Sequence, residues 1–192
     1  YGTATGQNAV VRFDDTEFTR IWWPRSIETE NKPDFSKNFV QLNSIATNQD
    51  INDGYVSVSG TKISKRRPGH RNYPVDKRGA ILSMRTGEPV VEGLTRPHSV
   101  RLRNDEIWVN NSGYGDVGML SGGKFLQAAR LMGWTRGLAP IGAYIIVGTS
   151  RILPRYHNYA PGLDPGSCQC GIHIIDARTG AVEGQMIWPA GN

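Results

Sequence analysis

A unit of about 46 residues, punctuated by hairpin turns, constrains this chain more than any other feature. Arg85-Thr86-Gly87 recurs as Arg178-Thr179-Gly180, and the two glycines lie 93 residues apart, two units on. Each tripeptide follows an apolar stretch, Ala80-Ile81-Leu82 in one case and Ile172 to Ile175 in the other, and precedes another short strand. Ser121-Gly122-Gly123 stands between them in the same setting, and Asp14-Asp15-Thr16 takes that part near the start. Turn residues between β-rich runs read as hairpins.

The other strands fall into matching series. Residues 39–45, 94–100 and 134–140 make the first strand of each unit. Tyr55-Val56-Ser57-Val58, Ile107-Trp108-Val109-Asn110 and Tyr144-Ile145-Ile146-Val147 make the second. Ile21-Trp22-Trp23-Pro24 returns as Ile187-Trp188-Pro189 at an equivalent unit end. Residues 125–132 fit a short helical turn or a fourth strand. Four short strands in a meander are the pattern of a propeller blade. The expected fold is therefore all-β: a β-propeller-type array of four-stranded antiparallel blades. Residues 1–24 form a half blade, 25–38 a linker, and 39–92, 93–132 and 133–192 one blade each. Fourteen strands make three and a half blades, and single-chain propellers close with about 4–8. The count favours a part of a longer chain, with closure by oligomerisation as the alternative.

Composition agrees with this reading. Gly 23 and Pro 11 among 192 residues call for many tight turns and few long helices. No apolar run approaches the roughly 18–20 residues of a membrane span, and no signal peptide is visible at the start. Cys168 and Cys170 are too few and too close for a disulfide framework, which points to reduced thiols and a cytoplasmic setting.

The repeat phase collects the unusual residues on one face, at the mouth of the central channel. The first strands bring Asn43, then Arg96 and His98, then Arg136, with Arg96 and Arg136 at one repeat position. Asn110 and Asn111 end a second strand beside them. The loop 60–78 carries Lys62, Lys65, Arg66, Arg67, Arg71, Lys77 and Arg78 against the single acid Asp76. Such a rim attracts anions, whether a small anionic molecule or an acidic protein surface. Its alternative role is a solvated loop, and a repeated Thr-Arg is equally suited to joining blades through charge-assisted hydrogen bonds. Tyr73, Tyr156 and Tyr159 beside basic residues suit base stacking. The same loops hold Pro68, Pro74, Pro154, Pro161 and Pro165, and aromatics on prolines are ordinary loop packing, so nucleic acid is not the expected partner.

A metal centre is not expected. Cys168, Cys170 and His173 alternate on an extended segment, and no second pair completes a zinc set. The channel mouth supplies Asn43 and His98 but no carboxylate for a hard cation. No cofactor is called for, because Gly113-Tyr114-Gly115-Asp116-Val117-Gly118 has dinucleotide spacing without the helix that must follow it. The first functional expectation is a binding domain for an anionic ligand or acidic partner. A metal-assisted lactonase, hydrolase or lyase drawing carboxylates from elsewhere is the second, and a structural subunit of a larger assembly the third.

The clustered elements Thr95-Arg96-Pro97-His98-Ser99, Asn110-Asn111-Ser112-Gly113-Tyr114-Gly115 and Trp134-Thr135-Arg136-Gly137-Leu138 are shared with a known group. With Cys170-Gly171-Ile172-His173-Ile174-Ile175-Asp176, they make the chain, from about Phe39 onward, resemble a largely bacterial, propeller-like family with a conserved domain of unknown function. That resemblance implies the fold and a longer typical chain, and carries no activity.

Overall fold

The computed structural model describes residues 1–30, 32–68, 70 and 72–189. Within these residues fifteen strands form four antiparallel meanders. Sheet 1 holds β1 (Gly2–Ala4), β2 (Ala9–Phe13) and β3 (Phe18–Trp22). Sheet 2 holds β4 (Leu42–Ala46), β5 (Tyr55–Val58), β6 (Gly79–Ser83) and β7 (Pro89–Leu94). Sheet 3 holds β8 (Pro97–Arg103), β9 (Glu106–Asn111), β10 (Asp116–Ser121) and β11 (Lys124–Arg130). Sheet 4 holds β12 (Trp134–Ile141), β13 (Tyr144–Ser150), β14 (Gly171–Asp176) and β15 (Val182–Ile187). Among the described residues the only helices are short 3₁₀ turns, so the fold is the expected all-β, propeller-like array of blades. Among these residues no helix is long and apolar enough to cross a membrane.

One local expectation changes and one alternative is decided. The first sheet has three strands, because the short, small-residue segment Gly2–Ala4 pairs with Ala9–Val11 although it carries no apolar alternation. The segment 125–132 resolves as a strand, β11, not a helical turn.

Alternation along each strand explains how the sheets stack. In β6, Ala80 and Leu82 face sheet 1 and join Val10, Ile27, Val40, Val56 and Val58, while Ile81 faces sheet 3 and meets Val91, Val100 and Val109. In β9, Val109 faces sheet 2, and the fully buried Trp108 faces sheet 4 with Val117, Leu138, Ile145, Val147 and Ile175. A period of two thus divides β6 and β9 between two cores. The hairpin glycines match as well: Gly87 and Gly180 take φ +75 and +74, and a side chain at Gly180 would overlap the Ala128 carbonyl of the neighbouring sheet.

The first strands β1, β4, β8 and β12 lie side by side along the inner edge, and the sheets fan outward from them. Each of β4, β8 and β12 carries a bulge there. Blade-to-blade hydrogen bonds cross at these points: Val100 N donates to Ser44 Oγ (2.9 Å), and Gly137 N to Ser99 Oγ (3.0 Å). The bulges fall beside His98, Ser99 and Arg136, on a backbone hydrogen-bonded across neighbouring sheets.

Candidate functional site: a cation-lined channel mouth

Two long loops roof the mouth. The β5–β6 loop is drawn inward where Lys77 N donates to Thr95 Oγ1 (2.8 Å) and Thr95 Oγ1 donates to Asp76 (2.9 Å). The β13–β14 loop reaches back over sheet 3, with Gly162 N donating to the Gly113 carbonyl (3.0 Å) and the Tyr114 ring lying against Gly162. Tyr114 Oη then donates to Asp76 (2.9 Å), so one carboxylate ties both loops to the start of sheet 3.

Arg96 lies under this roof and is 4% exposed. Its guanidinium donates to Gln41 Oε1 and to the Pro68 carbonyl, and lies 4.2 Å from the centre of the Tyr159 ring. It therefore joins two neighbouring first strands and both loops. Burial pushes it down to about 10, and its Nε has no hydrogen-bond partner in the structure. Arg136 lies 3.9 Å from the centre of the Trp134 ring. Burial, followed by the charge of Arg96, brings it down to about 10 as well. His98, hydrogen-bonded through Nδ1 to Ser99 Oγ (2.9 Å), is lowered to about 4 by burial and then by Arg136 and Arg101. Burial first, and the neighbouring cations second, favour the neutral imidazole.

The two arginines do not share a repeat position, contrary to the sequence expectation. Arg96 precedes β8 in the left-handed conformation (φ 55) that Gln41 (φ 51) takes before β4, whereas Arg136 stands inside β12. Register decides this: the bulges displace the first strands against one another, which residue counting does not reveal.

The asparagines mostly hold the frame. Asn43 Nδ2 donates to Ser59 Oγ (3.1 Å) and to the Pro97 carbonyl (3.1 Å). Asn111 accepts from Thr95 N (2.7 Å) and donates to Asp116 (3.3 Å). Asn110, opposite His98 in the ladder, donates to the Gly137 carbonyl (3.3 Å), while its Oδ1 is buried without a partner. The rim residues are not part of this group. Arg66 donates to the Asn72 carbonyl (3.3 Å) and lines a separate cleft of about 650 Å³ with Lys62, Lys65, Lys77 and Arg78. Arg67 is exposed on the same loop, and Arg71 lies outside the described residues.

Below the mouth, an open groove of about 630 Å³ runs along β4 and β8, lined by Asn43, Ser44, His98, Ser99 and Arg101. Arg101 donates only to backbone carbonyls, Val100 at 2.8 Å and Ile45 at 3.5 Å. The ion pairs among the described residues (Arg25–Glu88, Arg85–Asp53, Arg103–Glu106 and Arg130–Asp116) all lie elsewhere. Arg96, Arg101 and Arg136 therefore have no carboxylate against them. Sequence reading leaves Trp134, Tyr159 and Arg101 out of the candidate site. The Trp134/Arg136 spacing of two on a strand is the one signal that places a ring beside a guanidinium.

No three His, Cys, Asp or Glu side chains gather into a metal-binding group among the described residues. Cys168 and Cys170 are free thiols. Cys168 is buried with Ile152 and Ala160, and burial raises its thiol pKa.

No curated protein matches the sequence. Among solved structures, the crystal structure of the computationally designed Ika4 protein aligns with 12% identity and a TM-score of 0.45, over 76% of this chain and 71% of that one. Residues 2–191 match the family described as "Domain of unknown function (DUF4915)", and the chain belongs to that family.

Proposed function

We propose that this protein is a binding domain that captures a small anionic ligand, a carboxylate or phosphate, at the channel mouth between Arg136, His98 and Arg101. The observation that carries this reading is positive charge without a counter-charge: among the described residues no carboxylate pairs with Arg101 or Arg136, and burial pushes Arg136 down to about 10. A buried cation without a counter-charge is costly, and an anion seated there offsets that cost. The donors are of the fitting kind, because a guanidinium braced on a tryptophan face meets a planar carboxylate or a phosphate through two parallel N–H groups. His98 and Arg101, though not Arg136, line the adjoining groove of about 630 Å³, which has room for a small molecule. The free thiols support a cytoplasmic location.

Isothermal calorimetry with inorganic phosphate, and separately with a dicarboxylate, tests this. Saturable binding in the wild type should weaken at least tenfold in Arg136→Gln, since a charge-assisted hydrogen bond contributes about 1.5–3 kcal/mol. Trp134 fluorescence should change with the same midpoint. The absence of saturable heat with either anion, or equal affinity in the variant, overturns the reading.

A further inference from the structure

The β5–β6 loop folds back on itself and makes a cleft of its own. On its outgoing limb Arg66 donates to the Asn72 carbonyl (3.3 Å), and Ser64 Oγ donates to the Arg66 carbonyl. Tyr73, only 7% exposed, begins the returning limb, which Lys77 N fixes on Thr95 Oγ1 (2.8 Å). The Pro68 carbonyl, between the limbs in sequence, is held by Arg96. The limbs enclose a space of about 650 Å³, with Glu92 and Gly93 of β7 as a third wall. Small-molecule sites run from roughly 300 to 1,000 Å³.

Both limbs present cations to this space. Lys62, Lys65 and Arg66 come from one and Lys77 and Arg78 from the other, against the single carboxylate of Glu92. Among the described residues none of these five forms an ion pair. Asp76, the loop's own acid, accepts instead from Thr95 Oγ1 and Tyr114 Oη. Like charges drawn into one walled cleft focus their field and raise the local concentration of anions. Lys77 holds the left-handed conformation (φ 54), which is costly for a residue with a side chain, so the surrounding framework keeps Lys77 and Arg78 in place at the start of β6.

The arrangement selects the kind of anion. Its cations converge on one space from two sides, which matches a compact group of several negative charges. An extended acidic peptide alternates its side chains and spreads its charge along a line. Linked phosphates are compact in the required way and offer many acceptor oxygens to Lys and Arg donors. Ile63, 49% exposed, and Pro74 add apolar surface for an organic portion, and Glu92 adds an acceptor for a hydroxyl.

We infer that this cleft is a second site, separate from the channel mouth, and that it takes a small molecule bearing a chain of linked phosphates. Lys62, Lys65 and Arg66 meet the chain from one side, and Lys77 and Arg78 from the other. The inference does not depend on anion binding at the mouth.

Isothermal calorimetry with tripolyphosphate and with ATP, at about 150 mM salt, tests it. Titrations are made on the wild type and on Arg136→Gln, the second to remove the mouth as a competing anion site. Saturable binding is expected to weaken at least about tenfold when Lys77→Gln and Arg78→Gln are combined, and likewise when Lys62→Gln and Lys65→Gln are combined. All four positions are exposed, so circular dichroism should be unchanged. Tighter binding of ATP identifies the ligand as a nucleotide, and equal binding as the phosphate chain itself; both uphold the site. Wild-type heat that is lost in Arg136→Gln arises at the mouth and overturns this inference alone. So does the absence of saturable heat with either phosphate, undiminished affinity in either paired variant, or tighter binding of a polyglutamate peptide.

Discussion

Acidification offers a sharp test of how the channel mouth is built, through His98. Burial and the nearby charges of Arg136 and Arg101 lower its folded-state pKa from 6.5 to about 4. In the unfolded chain the ring takes up a proton below about pH 6.5, while the folded chain takes one up only below about pH 4. The unfolded state therefore binds more protons across this window, and stability falls as pH drops through it. It is fully retained above pH 6.5, and the whole gap corresponds to about 3 kcal/mol once pH is below 4. Roughly 2 kcal/mol of this falls between pH 7 and pH 5, and partial solvent contact of the ring trims it to about 1–2 kcal/mol.

Urea denaturation of the wild type and of His98→Gln, each at pH 7 and pH 5, measures the effect. The wild type should lose about 1–2 kcal/mol more than the variant on acidification, which for a chain of this size is a difference of about 2–8 °C in Tm. The variant's stability at pH 7 does not matter, because only the change with pH is compared. His173, which burial also lowers, is present in both proteins and cancels. The exposed carboxylates of Asp14, Asp34 and Asp176, held below their ordinary range by hydrogen bonds, act at lower pH. Equal losses in the two proteins would refute the cationic, desolvated account of this site. Bound inorganic phosphate should shrink the wild-type loss, because a negative charge beside the ring raises its pKa.

Two further outcomes follow from the packing. Trp108→Ala should cost about 3–5 kcal/mol in denaturant titrations, since the ring is fully buried between sheets 3 and 4 and its Nε1 donates to Glu106 (3.0 Å). Arg96→Lys should cost about 1–3 kcal/mol and speed tryptic cleavage after Lys65 or Arg66, because an ammonium cannot reach Gln41 and the Pro68 carbonyl while stacking on Tyr159. Unchanged cleavage would mean that the β5–β6 loop is held elsewhere.

The repeat was legible because turns and alternation are local properties. Gly87 and Gly180 lie at matching hairpin tips because the left-handed backbone there favours glycine, and that preference is written in single residues. The alternation in Ala80-Ile81-Leu82 likewise announces a strand, though not which neighbour each side chain meets. Gly2–Ala4 was illegible for the opposite reason: three small residues have no pattern, and only pairing with β2 makes them a strand.

The candidate site divides along the same line. Its residue types could be read from the chain: cations, a histidine and asparagines on the first strands and at the end of a second, with no carboxylate among them. Their roles could not. Arg96 and Arg136 look equivalent in the sequence, yet one joins two loops beneath a roof and the other stacks on Trp134 inside a strand. A bulge changes register without changing spacing, and a loop such as β13–β14 brings Tyr159 to Arg96 from far along the chain. Sequence alone thus determined the blade unit, its turns and the sign of the charge at the mouth, because each follows from short-range backbone preference and composition. Tertiary structure decided which charges are buried and which are paired, because desolvation and contact depend on segments that meet only in the folded chain.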